Sequence, residues 1–221
     1  TVLISCLFGI ASVAVVIAMT KTTNRKILVL TDAETKKTPY TASPTAYTAL
    51  AGILFVSALC GALISKYAIS GIAIVKLGIC YLAILGAAVI DYKLRIIPNY
   101  IPLTLVATWV LIFIYESCFG NGSVQTLIAS AIGCLLCFLM LLLGNRFSKG
   151  GIGGGDIKLL SCVGLMCGAY MVFTTLLLAL ICCCIFASAS LLTKKMTLKN
   201  SVPFGPFIYL GYVLMCLMTL Y

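Results

Sequence analysis

Eight apolar runs, near residues 2–20, 47–65, 69–91, 100–116, 124–145, 157–170, 171–193 and 203–220, take up most of the chain. About 20 apolar residues wound as a helix cross the ~30 Å hydrocarbon core of a bilayer, and a soluble domain has no interior large enough to hide so many such runs. Lipid offers no partner to a backbone amide or carbonyl, so each crossing segment must satisfy its hydrogen bonds within itself. The expected fold is therefore all-α, a polytopic membrane helix bundle of about seven to eight segments forming one domain over residues 1–221. Composition agrees, with 62% hydrophobic and only 9% charged residues. The sixth run is short and reads as a tilted or half-inserted helix whose ends must be covered by protein. The first is long for a cleaved signal and lacks a basic start, so it reads as a true span.

A net charge of +10 could suggest nucleic acid, but where the cations lie decides the matter. Thirteen of the fifteen lysines and arginines fall in four alternating loops: Lys21 to Lys37, Lys93 with Arg95, Arg146 to Lys158, and Lys194 to Lys199. The positive-inside rule places these loops in the cytoplasm and both termini outside. The expected partners are anionic lipid headgroups, not nucleic acid. Lys66 and Lys76 fall near an external turn, and Glu116 at the opposite face from the basic loops.

Most of the twelve cysteines lie inside apolar runs, Cys182-Cys183-Cys184 among them, and Cys134-x-x-Cys137 sits in mid-helix. They read as small apolar side chains, not as a disulfide framework or a metal site. The polar stretch 21–46 is a cytoplasmic loop with neither cysteine nor histidine, so it has no means of holding zinc.

Against this apolar background, Gly150-Gly151-Ile152-Gly153-Gly154-Gly155-Asp156 stands apart. Five glycines in six positions weaken a helix, but they let another backbone approach closely. The chain has only five acids: Asp32, Glu34, Asp91, Glu116 and Asp156. Of these, Asp91 and Asp156 alone sit at the cytoplasmic ends of apolar segments. An ionisable group at membrane depth is costly and marks a functional site, and here each aspartate is the other's natural partner. Two close carboxylates share one proton, so one can serve as base toward water while the other polarises a carbonyl and protonates the leaving nitrogen. A helix N-terminus favours an anion and a C-terminus disfavours one, which points to Asp156 as the ionised member and Asp91 as the protonated one. The bland reading is that each merely caps or anchors its helix.

The chain has no histidine, which removes Ser-His and Cys-His nucleophile systems and histidine-bound metals. No Gly-Lys-Ser/Thr follows the glycines, and Asp156 breaks a G-x-G-x-x-G pattern, so neither nucleotide loop fits. No cofactor and no metal are expected.

Three motifs carry a resemblance. Gly153-Gly154-Gly155-Asp156 followed by Ile157-Lys158-Leu159 is similar to the G-x-G-D-x-K-L of bacterial prepilin peptidases, which are intramembrane aspartyl proteases. Asp91 followed by Ile97-Pro98-Asn99 resembles the family's D-x5-I-P-N, and Pro203-Phe204-Gly205-Pro206-Phe207 resembles the P-F-G-P-F that opens its last span. The resemblance implies an aspartic endopeptidase that cuts the basic leader from type IV prepilin or pseudopilin precursors at the cytoplasmic membrane face. Asp91 and Asp156 carry over as the catalytic pair, in loops 91–99 and 146–158, and Gly153 and Gly155 as motif glycines. Lys158 is offset by two residues from Asp156 and reads as a membrane-surface anchor. Pro98, Asn99, Pro203, Gly205 and Pro206 read as structural or substrate-loop positions. Long members carry a cysteine-tetrad zinc domain in the first cytoplasmic loop, linked with N-methylation. Residues 21–46 do not match it, so this resembles a short form without methyltransferase activity. A cation-coupled transporter using the two aspartates and an archaeal preflagellin-type peptidase are the competing readings.

Overall fold

The computed structural model describes residues 71–119, 124–148, 151–193 and 202–218, with four single helical positions in the first apolar run at 10, 11, 14 and 17. The expected spans near 2–20 and 47–65, and the loop 21–46, otherwise lie outside the described residues. The six remaining runs are all helices: α1 (Gly71–Leu94), α2 (Tyr100–Cys118), α3 (Val124–Phe147), α4 (Gly154–Cys167), α5 (Ala169–Leu192) and α6 (Gly205–Met218). Among the described residues there is no strand. Four helices are long and apolar enough to cross a membrane, namely Gly71–Tyr92, α2, α3 and α5, and α6 is a shorter apolar helix. The chain is a multi-pass membrane protein.

Burial sorts the helices into an inner and an outer set. Tyr81, Ile84 and Leu85 on α1, Leu159, Leu160 and Val163 on α4, and Ile208, Tyr212 and Met215 on α6 are fully or nearly fully buried. By contrast, α2, α3 and α5 leave large apolar side chains exposed, such as Leu111, Leu143 and Ile185. In water such faces would demand a partner. In lipid they are the solvent-facing surface, so the core need not be more apolar than the outside.

The 14 residues of α4 extend only about 21 Å, less than a bilayer core. This is the short segment expected from sequence, and protein surrounds it: α1, α2, α3 and α5 all pack against it. Its tightest crossing is with α3. A Cβ on Gly133 would sit 2.6 Å from the Gly164 carbonyl oxygen, so the two backbones are in direct contact, as small residues permit in membranes. Gly168, with φ of 83°, then turns the chain directly from α4 into α5.

Polar groups along the spans are paired. Lys76 near the start of α1 meets Glu116 near the end of α2 at 2.7 Å. The Tyr81 and Tyr209 hydroxyls lie 2.8 Å apart, and the Tyr212 hydroxyl donates to the Leu77 carbonyl at 2.8 Å. The described cysteines are free thiols, with Cys80 and Cys167 in sulfur contact at 3.5 Å.

Candidate active site

The last turn of α1 carries Asp91, which is 6% exposed. Past it the helix stops. Arg95 takes a left-handed conformation, φ 53°, with its N–H donating to the Asp91 carbonyl at 2.8 Å, and Pro98 keeps the following stretch out of the helical form. The turn formed by Ile96, Ile97, Pro98 and Asn99 then leads into α2. Ile97 is buried against α4, where a Cβ on Gly155 would approach the Ile97 Cβ to 2.7 Å. Gly155 thus works as a close-packing position between the two halves of the site.

Asn99 precedes α2 without capping it through its side chain. Its Oδ1 instead accepts from the Lys158 Nζ at 3.1 Å. Exposed Lys158 thereby ties α4 to the Asn99 turn, joining the two motif segments.

The glycine loop is held at its other end by α3. The Ile152 N–H donates to Asn145 Oδ1 at 3.2 Å and the Gly151 N–H to the Ser148 hydroxyl at 3.2 Å. Gly153 is extended and α4 begins at Gly154, which puts Asp156 in its first turn, 8% exposed. A Cβ on Gly153 would lie 2.7 Å from Asp156 Oδ2, so glycine there leaves room for the carboxyl group.

Asp91 and Asp156 line one cavity of about 640 Å³. Gly151, Gly153, Pro203 and Phe204 also border it, and α3 and α5 supply an apolar wall that includes Met140, Leu141 and Leu180. Arg95 and Cys183 line it too. Sequence reading passed over these wall residues and Arg95, since nothing distinguishes a cavity-facing leucine or methionine in a uniformly apolar run. Asn145 had a signal, as a polar side chain ending an apolar run. Pro206 opens α6 one residue past Gly205, and among the motif residues Asn99, Gly153 and Lys158 are exposed.

The two carboxyl groups are not equivalent. Asp91 Oδ2 accepts the Gly205 N–H at 2.8 Å in a buried setting. Asp156 Oδ1 is buried and has no hydrogen-bond partner among the described residues. Burial, and after it the charge of Asp91, pushes Asp156 up from the ordinary 3.8 to about 7. Burial thus works against the expectation from helix ends alone, Asp156 ionised and Asp91 protonated. The dipole of α4 is outweighed because desolvation acts on the whole charge, whereas the dipole offers only a fraction of one.

This raised value has a consequence for stability. The folded chain keeps the Asp156 proton through a range, from 3.8 to about 7, in which the unfolded chain has lost it. The contribution is complete below the lower value, is lost as the pH rises through about 7, and is flat above. The thermal midpoint in detergent is expected to decline across this window, and Asp156→Asn to flatten the decline. A parent-like slope in the variant would assign the titration to another group.

The model of the type IV leader peptidase family matches residues 78–188, half of the chain, a stretch that contains both Asp91 and Asp156. The chain belongs to that family. Among curated proteins it is similar to the prepilin leader peptidase/N-methyltransferase of Bacillus subtilis, 30% identical over 86 residues, covering 39% of this chain and 35% of the relative. The protein of the same name from Burkholderia pseudomallei strain 1026b is 26% identical over 163 residues, covering 70% of this chain and 49% of the relative. The matches thus span about half or less of the length of these relatives. No solved structure matches the chain significantly.

Proposed function

We propose that this chain is an aspartic endopeptidase that removes the basic leader from type IV prepilin-like or pseudopilin precursors at the cytoplasmic face of the cytoplasmic membrane, with Asp91 and Asp156 as its catalytic pair. The observation that carries this reading is two buried carboxyl groups facing one cavity, one hydrogen-bonded and one with an oxygen that has no partner among the described residues. Family membership and the names of the relatives point to the same substrate class. The alternation of basic loops supports the sidedness.

A single peptidase domain brings loops 91–99 and 146–158 together. Ionised Asp91 takes a proton from a water as its oxygen attacks the scissile carbonyl carbon. Protonated Asp156 donates a hydrogen bond to the carbonyl oxygen and supplies the proton that stabilises the tetrahedral intermediate. Collapse of that intermediate breaks the C–N bond: the proton gained by Asp91 goes to the leaving nitrogen, and a hydroxyl proton of the intermediate returns to Asp156 as the carboxyl product forms. The pair is then ready for another water. The apolar wall from α3 and α5 suits the start of a substrate's hydrophobic helix, and the cavity's polar end suits the extended bond preceding it. Methyl transfer, which the relatives' names also state, is not part of the proposal.

The test uses the protein in lipid with a prepilin whose leader ends just before its apolar helix. One cut at that boundary, mapped by mass, is expected. A panel of prepilins left uncut, with a cation flux across the same vesicles, would replace the peptidase reading with the transport one.

A further inference from the structure

The Pro203-Phe204-Gly205-Pro206-Phe207 segment borders the cavity through Pro203 and Phe204. Its backbone donors can be counted. Pro206 has no N–H. The Phe207 and Ile208 N–H groups donate to the Phe204 carbonyl, at 3.0 and 3.1 Å. That leaves the Gly205 amide among the first four residues of α6, and it donates to Asp91 Oδ2 at 2.8 Å. A helix N-terminus thus delivers one uncommitted donor to one carboxylate, together with the positive end of its dipole. Glycine is required there, because a Cβ would sit 2.8 Å from the Asp91 Cβ and 2.9 Å from Oδ2. Among the described residues, Asp156 has no such partner for its Oδ1.

We infer that Gly205 is a positioning residue whose backbone amide keeps Asp91 ionised and thereby makes it the base of the pair. This rests on the peptidase reading for its catalytic meaning, though not for its physical content. Proline at 206 then has a purpose of its own: it removes a competing donor from the helix start. The other ionisable groups facing the cavity with Asp91 are Asp156 from α4, Arg95 from the end of α1 and Cys183 from α5. Lys158 is turned to Asn99, and the α6 tyrosines Tyr209 and Tyr212 are bonded to Tyr81 and to the Leu77 carbonyl.

The cleanest test replaces residue 205 by glycolic acid, so that an ester oxygen stands where the N–H was. Shape is kept, and no intrahelical bond is lost because the first amides of a helix have no partner within it. A hydrogen bond to a charged acceptor corresponds to about one to two pH units in that group's titration. The acid limb of kcat/KM is expected to move up by that amount. A second readout needs no activity: the carboxyl-stretch infrared titration of Asp91 in an Asp156→Asn background, with and without the ester. The Asp91 midpoint should rise with the ester by the same amount. An unmoved midpoint overturns the inference even where cleavage by the parent stands. If the parent cuts nothing, the peptidase reading fails, and the infrared midpoint alone decides the role of Gly205.

Discussion

Replacing either Asp91 or Asp156 with asparagine is expected to lower prepilin cleavage by about a thousandfold or more, while the protein still folds. The two losses have different physical origins. Asp91→Asn keeps an oxygen that accepts the Gly205 amide, so the geometry at the end of α1 survives, but the new side chain cannot take a proton from water. Asp156→Asn keeps the neutral shape of the protonated acid and a donor for the substrate carbonyl, but leaves no proton to transfer. Because each group acts only through the other, the double variant should be no slower than either single one. Product formation measured over long incubations, alongside thermal melts, decides the outcome. Cutting that survives either substitution would remove the pair from the mechanism. The pH dependence follows from the same asymmetry: parent activity should fall as the pH rises through about 7, where Asp156 loses its proton.

Much of this was readable from the chain because lipid imposes so strict a rule. A helix must be apolar over its whole membrane length, so α1, α2, α3 and α5 announce themselves, and their observed bounds fall within a few residues of the expected ones. The pairing of Asp91 with Asp156 could be proposed by counting, since acids are so few. What sequence does not carry is contact across distance. The Gly205 amide reaches Asp91 from 114 positions away, and no local signal marks that bond. Helix-end electrostatics, the only local argument available, sees neither that bond nor the burial of Asp156. Lys158 shows the same limit on a smaller scale. Its two-residue offset sets it apart from Asp156, but no local signal names Asn99, on another segment, as its partner.

Gly155→Ala is expected to reduce kcat by about a hundredfold with a small change in thermal midpoint, while Gly154→Ala stays near the parent. From sequence the motif resemblance sets Gly153 and Gly155 apart from Gly154, but gives no physical reason for the difference beyond room for an approaching backbone. The structure separates them. An added Cβ at Gly155 would meet the Ile97 Cβ at 2.7 Å and the Ile97 carbonyl oxygen at 3.3 Å, whereas at Gly154 it would meet nothing within 4 Å. Since a Cβ is fixed to its backbone, the clash at Gly155 is relieved only by pushing the Ile97 turn away from α4. Asp91, in the helical turn that leads into that segment, moves with it, and a displacement of about 1 Å between reacting groups is enough for the stated loss. At Gly154 the same substitution removes a helix-weakening glycine and costs no contact. A compensating pair sharpens the comparison: Ile97→Gly, which deletes the opposing Cβ, should return part of the activity to Gly155→Ala. If Gly154→Ala instead raised KM steeply and Gly155→Ala did little, the glycines would be serving the substrate backbone and not the joint between the two aspartate-bearing segments.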